Sequence, residues 1–267
     1  MRTVRVRRTL LAFGLALACV GCDVSVGDGG FNVALASGKA TDEWTRQYQV
    51  AAGGKIEVRN INGAVTIEPA DGERVEVRAE RMARAGSDEA AKELLKRIEI
   101  QEDVKPDSVR IQTKAPSVWG REGHEVKYFV KVPASIRVEA HTTNGGIRMA
   151  NLPNQLNVSS VNGGVEGERL SGHVDASTTN GGVQIRLDAL SADGVELAAV
   201  NGGIELELPK ASKADISARV VNGGIQADNL SLETTAQSRR HLEGRVNGGG
   251  SRVELSTTNG GVRIAGK

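Results

Sequence analysis

The tripeptide Asn-Gly-Gly begins at Asn144, Asn162, Asn180, Asn201, Asn222, Asn247 and Asn259, at spacings of 18, 18, 21, 21, 25 and 12 residues. Asn62-Gly63-Ala64 is a variant of it near the start. A period near 20 residues marks stacked repeat units, each too small to bury an apolar face alone. Asparagine and glycine tolerate positive φ, and Asn-Gly is the strongest short signal for a chain reversal.

Alignment on the asparagine shows what each reversal connects. Six residues before it stand Ile56, Val138, Leu156, Val174, Val195, Ile216 and Val253, and four before it Val58, Ala140, Val158, Ala176, Leu197, Ala218 and Leu255. Three after it stand Val65, Ile147, Val165, Val183, Ile204, Ile225 and Val262, and five after it Ile67, Met149, Gly167, Ile185, Leu206, Ala227 and Ile264. Apolar residues thus occupy even positions before the turn and odd positions after it, the phase change that keeps both strands facing one interior. The expected fold is all-β: a β-solenoid of two-strand rungs with turns at Asn62, Asn144, Asn162, Asn180, Asn201, Asn222 and Asn259. Six rungs at about 4.8 Å rise on the order of 25 to 30 Å. Asn247 breaks the pattern, because His241, Glu243 and Arg252 would fall on inward positions. The irregular stretch over residues 228–250 predicts a hairpin or bulge with the Asn-Gly-Gly-Gly as its turn.

The N-terminal part of the repeat region, 45–134, alternates in the same way and carries one helix signal over 88–97. Ser87 can cap it, Asp88 and Glu89 suit its positive end, and Ala91, Leu94, Leu95 and Ile98 form one apolar stripe. A short amphipathic helix there is expected to cover an open end of the sheets, with Trp44 and Trp119 packed at that end. Residues 135–267 are the Asn-Gly-Gly repeats proper.

Ahead of this domain, Arg2, Arg5, Arg7 and Arg8 precede an apolar run from Leu10 to Ala18, too short to span a bilayer, as in a secretory signal peptide over 1–21. Cys19 and Cys22 both follow small residues, as a lipidated cysteine does. Cys22 is the better site because Gly21 precedes it and its apolar run is longer; Cys19 is the alternative, and ordinary cleavage after Ala18 a third. A disulfide or metal site is disfavoured because these are the only two cysteines. Residues 22–44, rich in glycine, serine and aspartate, read as a flexible tether. Removing the signal's four arginines takes the 34 basic residues to 30 against 33 acidic, and the formal charge from +1 to −3. That balance offers nothing to nucleic acid, and attachment to a membrane would rest on the lipid.

Candidates for chemistry stand in the outward rows. Five before the asparagine run Glu139, Asn157, Asp175, Glu196, Ser217 and Glu254, and four after it Arg148, Glu166, Gln184, Glu205, Gln226 and Arg263. Neither row has the form of paired catalytic carboxylates. A phosphate cradle would need a helix after the glycines, and strands follow instead. His124, His141, His173 and His241 fall at unrelated phases, and residues 131–267 hold no Phe, Tyr or Trp on which sugars could stack. The expectation is therefore no cofactor, no metal and no catalytic residue.

The runs "HTTNGG" (141–146), "STTNGG" (177–182 and 256–261), "VNGG" (161–164, 200–203, 221–224) and "GRVNGGGSRVELSTTNGG" (244–261), with the helix "DEAAKELLKRIEIQ", resemble the bacterial putative-adhesin family of β-strand-repeat proteins, a domain of unknown function. The resemblance covers most of 45–267 and implies a β-solenoid and a place in the cell envelope. The expected function is that of a non-catalytic envelope lipoprotein, held to the membrane by its anchor, whose scaffold adheres or engages an envelope protein partner. The alternative is a β-helix enzyme acting on a cell-wall or extracellular polysaccharide, which requires Asp, Glu, Lys or Arg clustered in one groove.

Overall fold

The computed structural model describes residues 22–27, 30–35, 38–120 and 122–267. Residues 1–21, with the expected signal peptide and Cys19, lie outside them, and Cys22 is the first residue of β1. β1 (Cys22–Gly27) and β2 (Gly30–Leu35) pair antiparallel as a two-stranded sheet of their own. β3 (Gly38–Tyr48) follows, then β4 (Lys55–Asn62), β5 (Val65–Pro69), β6 (Val75–Ala85), α1 (Asp88–Lys96), β7 (Glu99–Lys105), β8 (Ser108–Lys114) and β9 (Gly123–Val132). The repeats supply β10 (Arg137–Asn144), β11 (Ile147–Ala150), β12 (Leu156–Asn162), β13 (Val165–Leu170), β14 (Val174–Asn180), β15 (Val183–Leu187), β16 (Val195–Asn201) and β17 (Ile204–Leu208). The chain finishes with β18 (Ala214–Asn222), β19 (Ile225–Asp228), β20 (Leu232–Ser238), β21 (His241–Val246), β22 (Ser251–Asn259) and β23 (Val262–Gly266).

These strands form two large sheets that face each other across one core. One has the order β20-β21-β18-β22-β16-β14-β12-β10-β4-β8-β7, the other β19-β23-β17-β15-β13-β11-β5-β9-β6-β3. Each rung places one strand in each sheet, and its Asn-Gly-Gly makes the corner between them. Neighbouring rungs pair parallel and in register, so that Asn62, Asn144, Asn162, Asn180, Asn201, Asn259 and Asn222 lie side by side. Register is fixed because a one-residue slip would turn every inward aliphatic to water. The expected inward rows are buried at every position except Ile225 and Ala227. Both lie on β19, which pairs only with β23 and so has no further rung to cover it.

The rungs do not stack in the order in which they occur. β22–β23 lies between β16–β17 and β18–β19, and β8–β9 lies beyond β4–β5 rather than between it and β10–β11. The Asn-Gly-Gly-Gly at 247–250 is accordingly not a hairpin turn. The hairpin is β20–β21, which reverses at Ser238–His241, while 247–250 carries the chain across β18 to β22. Asn247 takes φ 51° and donates to the carbonyls of Lys210 and Ser212 at 2.8 Å, away from the other asparagines.

Antiparallel strands extend both sheets at the first end, where α1 also packs, but only one sheet at the far end, through β21 and β20. The Ser87 hydroxyl caps that helix by accepting from Ala90 N–H at 3.2 Å, and Ala91, Leu94 and Leu95 face the sheet. Gly38 passes so close beneath the helix start that a Cβ there would lie 1.9 Å from the Ser87 carbonyl carbon. The stretch expected as a tether, 22–44, instead holds strands: β1 pairs with β2, and from Gly38 onward the chain is β3, paired with β6 along its length and burying Ala40 and Tyr48. Trp119 corrects a second expectation. It is 84% exposed on the segment joining β8 to β9, and Val118 beside it is what packs on the core.

Candidate functional site

The corner asparagines form one continuous ladder. Asn144 donates from Nδ2 to Asn62 Oδ1 at 2.7 Å, Asn162 to Asn144 and Asn180 to Asn162 at 2.8 Å, and Asn201 to Asn180 at 2.9 Å. Asn259 then donates to Asn201, and Asn222 to Asn259, both at 2.8 Å. Every amide points the same way, as dipoles in a hydrogen-bonded chain reinforce one another. At the far end Asn62 Nδ2 lies 3.1 Å from His124 Nε2. With Asn62 donating there, His124 Nε2 is the acceptor and its proton sits on Nδ1, which is buried without a partner. Burial alone holds the His124 pKa below the ordinary histidine value.

A second ladder runs inside the first. Two residues before the asparagine, Thr142, Ser160, Thr178 and Thr257 are buried, and each hydroxyl donates to the first-glycine carbonyl of the preceding rung, at 3.2, 2.8, 2.8 and 2.8 Å. Asn60 plays this part in the first of these rungs, donating to the carbonyls of Gly63 and Val126. The hydroxyl recurs visibly in "TTN" and "SSVN", but the inward role of that position depends on the corner's curvature. Sequence reasoning did not assign it.

The first glycine of each corner is sterically required. A Cβ on Gly145, Gly163, Gly181, Gly202 or Gly260 would lie 1.7–2.3 Å from the carbonyl oxygen of the neighbouring first glycine. At the second glycines Gly146, Gly164, Gly182, Gly203 and Gly261 the nearest atom is 3.3–3.5 Å away, and Ala64 occupies the equivalent place. Their missing side chains leave a shallow depression of about 450 Å³ lined by Gly164, Gly182, Gly203, Glu166, Glu205 and Arg263. Another, of about 470 Å³, flanks the ladder's end around Asn62, Met82, Arg84, His124 and Glu125.

Charge is concentrated elsewhere, on the outer face of β4, β8 and β10. Glu57 lies on the outward row yet is fully buried, its carboxylate accepting from Arg59 Nε and from Arg110 Nε at 2.7 Å. Burial pushes its pKa up, but these guanidinium bonds outweigh burial and hold it below the ordinary value. Lys55 Nζ donates to both oxygens of Glu139 at 3.0 Å. His141 Nδ1 lies 2.7 Å from Ser159 Oγ, and burial, with Arg59 nearby, lowers its pKa. Glu57, Glu139 and His141 bring one ligand atom each within 4.8 Å of one another. As a metal set they are poor: both Glu57 oxygens already carry an arginine N–H, and three cations surround two carboxylates. The cluster is an ion-pair network that clamps three strands.

His173 Nδ1 lies 2.9 Å from the Gly194 carbonyl, and His241 Nε2 lies 3.2 Å from Glu243. The four histidines thus serve four unrelated places. The outward row after the asparagine becomes an ion-pair and amide row, with Arg148 on Glu166 at 2.9 Å, Gln184 on Glu205 at 2.9 Å, and Arg263 on Glu205 at 3.3 Å.

The fold is shared with known proteins. A putative cell adhesion protein from Clostridium sporogenes is 10% identical, with a TM-score of 0.51 over 85% of this chain and 100% of that one. A putative adhesin from Bacteroides fragilis is 13% identical over 85% of this chain and 97% of that one, at a TM-score of 0.30. At such identity the first likeness concerns the fold alone. No curated protein matches the chain. The family model described as Toastrack DUF4097 matches residues 130–265, more than half of the chain, which therefore belongs to the Toastrack DUF4097 family.

Proposed function

We propose that the chain is a non-catalytic protein of the cell envelope, anchored by lipid at Cys22, whose solenoid presents an adhesive surface. The observation that carries this reading is the exposed asparagine corner, which runs unbroken across seven rungs. The printed description of the Clostridium sporogenes neighbour as a putative cell adhesion protein agrees with it. A polysaccharide-cleaving role needs two carboxylates free to exchange protons. Glu57 and Glu139, which approach one another near His141, are instead held by Arg59, Arg110 and Lys55.

Two experiments test the reading. Mass spectrometry of the mature N-terminus is expected to find a lipid on Cys22, lost in Cys22→Ser; an unmodified N-terminus removes the anchor. Retention of producing cells on a solid or polymeric surface is expected to fall when the protein is deleted, and unchanged retention removes adhesion.

A further inference from the structure

We propose that the asparagine corner is a binding track for a linear, uncharged, polyhydroxylated polymer lying along the solenoid axis, of the class of an extended β-1,4-linked neutral glycan. The inference rests on the adhesive reading above and supplies its ligand class.

A side-chain amide has two N–H donors and two acceptor lone pairs. Within the ladder Asn144, Asn162, Asn180, Asn201 and Asn259 each use one donor and one acceptor on their neighbours. All five are exposed, so every rung keeps one donor and one acceptor for a ligand. A hydroxyl is both at once, and an extended pyranose chain repeats at close to the inter-strand distance of about 5 Å.

The corner backbone, by contrast, is closed to a peptide. The first-glycine N–H of one rung donates to the asparagine carbonyl of the next, and the residue after the second glycine donates to a glycine carbonyl, as Gly163 does to Asn180 and Val165 to Gly182. No edge remains there for strand addition.

Charge and apolarity narrow the class further. "SSVNGG" (159–164), "STTNGG" (177–182), "AAVNGG" (198–203) and "STTNGG" (256–261) hold no ionisable residue over four adjacent rungs, although 25% of the chain is charged. Anionic polymers find no cation in these stretches, and Arg263 at the margin of the depression is already paired with Glu205 and Asp228, both at 3.3 Å. Five large hydrophobic side chains are exposed among the described residues, and three of them, all valines, stand beside ladder asparagines. Val161 and Val200 (both 43% exposed) and Val221 (56%) directly precede ladder asparagines. Their methyl groups offer apolar surface to the C–H faces of sugar rings. The depression along Gly164, Gly182 and Gly203 exists because the second glycine is retained where the backbone would accept alanine.

Size decides between a polymer and a folded partner. Six steps of about 4.8 Å make the corner about 29 Å long, and a width of about 10 Å gives about 300 Å². A stable protein–protein interface needs about 800 Å² from each side. The strip is too narrow for that and well shaped for a single chain of about six sugars.

The test titrates the ¹⁵N-labelled full chain with cellohexaose. Shifts are expected at the side-chain amides of Asn162, Asn180, Asn201 and Asn259. Val161→Glu/Val200→Glu, both on exposed positions, is expected to keep the unfolding midpoint and weaken binding at least about tenfold. Hexagalacturonate, the acidic counterpart, is expected to bind at least about tenfold more weakly than cellohexaose. No amide shifts at millimolar cellohexaose, equal binding by the glutamate variant, or equal binding of the acidic oligomer would each overturn the inference. If cell retention is lost in the glutamate variant while cellohexaose moves nothing, the glycan falls and the adhesive reading stands.

Discussion

The side-chain amide of Asn222 donates to Asn259 at 2.8 Å across 37 residues of sequence, and not to Asn201, the ladder asparagine immediately before it in the chain. Asn259 in turn donates to Asn201 across 58 residues. The rung that comes last in the sequence therefore joins two earlier ones, and both depend on it.

Substitutions in that rung should weaken the stack more than those in the rung outside it. Leu255 is buried on β22 with a rung on either side, and Leu255→Ala is expected to cost about 2–5 kcal/mol. Ile225, half-buried on the edge strand β19, should cost about 1 kcal/mol when changed to alanine. Urea unfolding of the two variants checks this; equal costs would contradict the inserted order.

The two glycines of a corner should differ sharply. Gly163→Ala places a Cβ 2.2 Å from the Gly145 carbonyl oxygen, and a loss of about 3 kcal/mol or more is expected. Gly164→Ala meets its nearest atom, the Gly182 carbonyl oxygen, at 3.3 Å and should change stability by less than about 1 kcal/mol. Thermal unfolding of the pair measures the contrast.

The hydroxyl ladder makes a smaller contribution. Thr178→Val removes the 2.8 Å bond to the Gly163 carbonyl while nearly keeping volume, and about 1 kcal/mol should be lost. The neighbouring rung already tolerates Ala199 at that position, which limits the cost. A loss above about 3 kcal/mol would mean that the carbonyl has no other way to be satisfied.

Acid should destabilise the protein in two stages. The folded state holds His124 and His141 below the free value of 6.5, mainly by burial, so the unfolded chain takes up those protons first and stability falls as pH drops below that value. Glu57 is held below its free value of 4.5, so its contribution is complete above that pH and is lost as pH falls through the lower folded value. His124→Asn, which offers the ladder an eighth amide, should flatten the first stage; Glu57→Gln should flatten the second and lower the midpoint at pH 7. Unfolding curves from pH 8 to 3 report both, and a profile unchanged in either variant refutes the corresponding assignment.

What the sequence by itself determined is local and periodic: which residues turn, which face inward, where the helix begins, and the family these carry. Ile56 and Val58 before Asn62, and Val65 and Ile67 after it, reveal their faces because side-chain direction alternates along a strand and the Asn-Gly bend resets the phase. The order of the rungs lay beyond it. Every rung offers its neighbours the same edge, the same aliphatic rows and the same asparagine, so pairing β22 with β16 or with β18 looks identical from sequence. Only the whole chain decides, because β21 covers one edge of β18 and leaves the other to β22. The same is true of His124 and the Glu57 cluster. Each gathers residues from separate strands at phases that mean nothing locally, and close packing of distant segments alone brings them to one place.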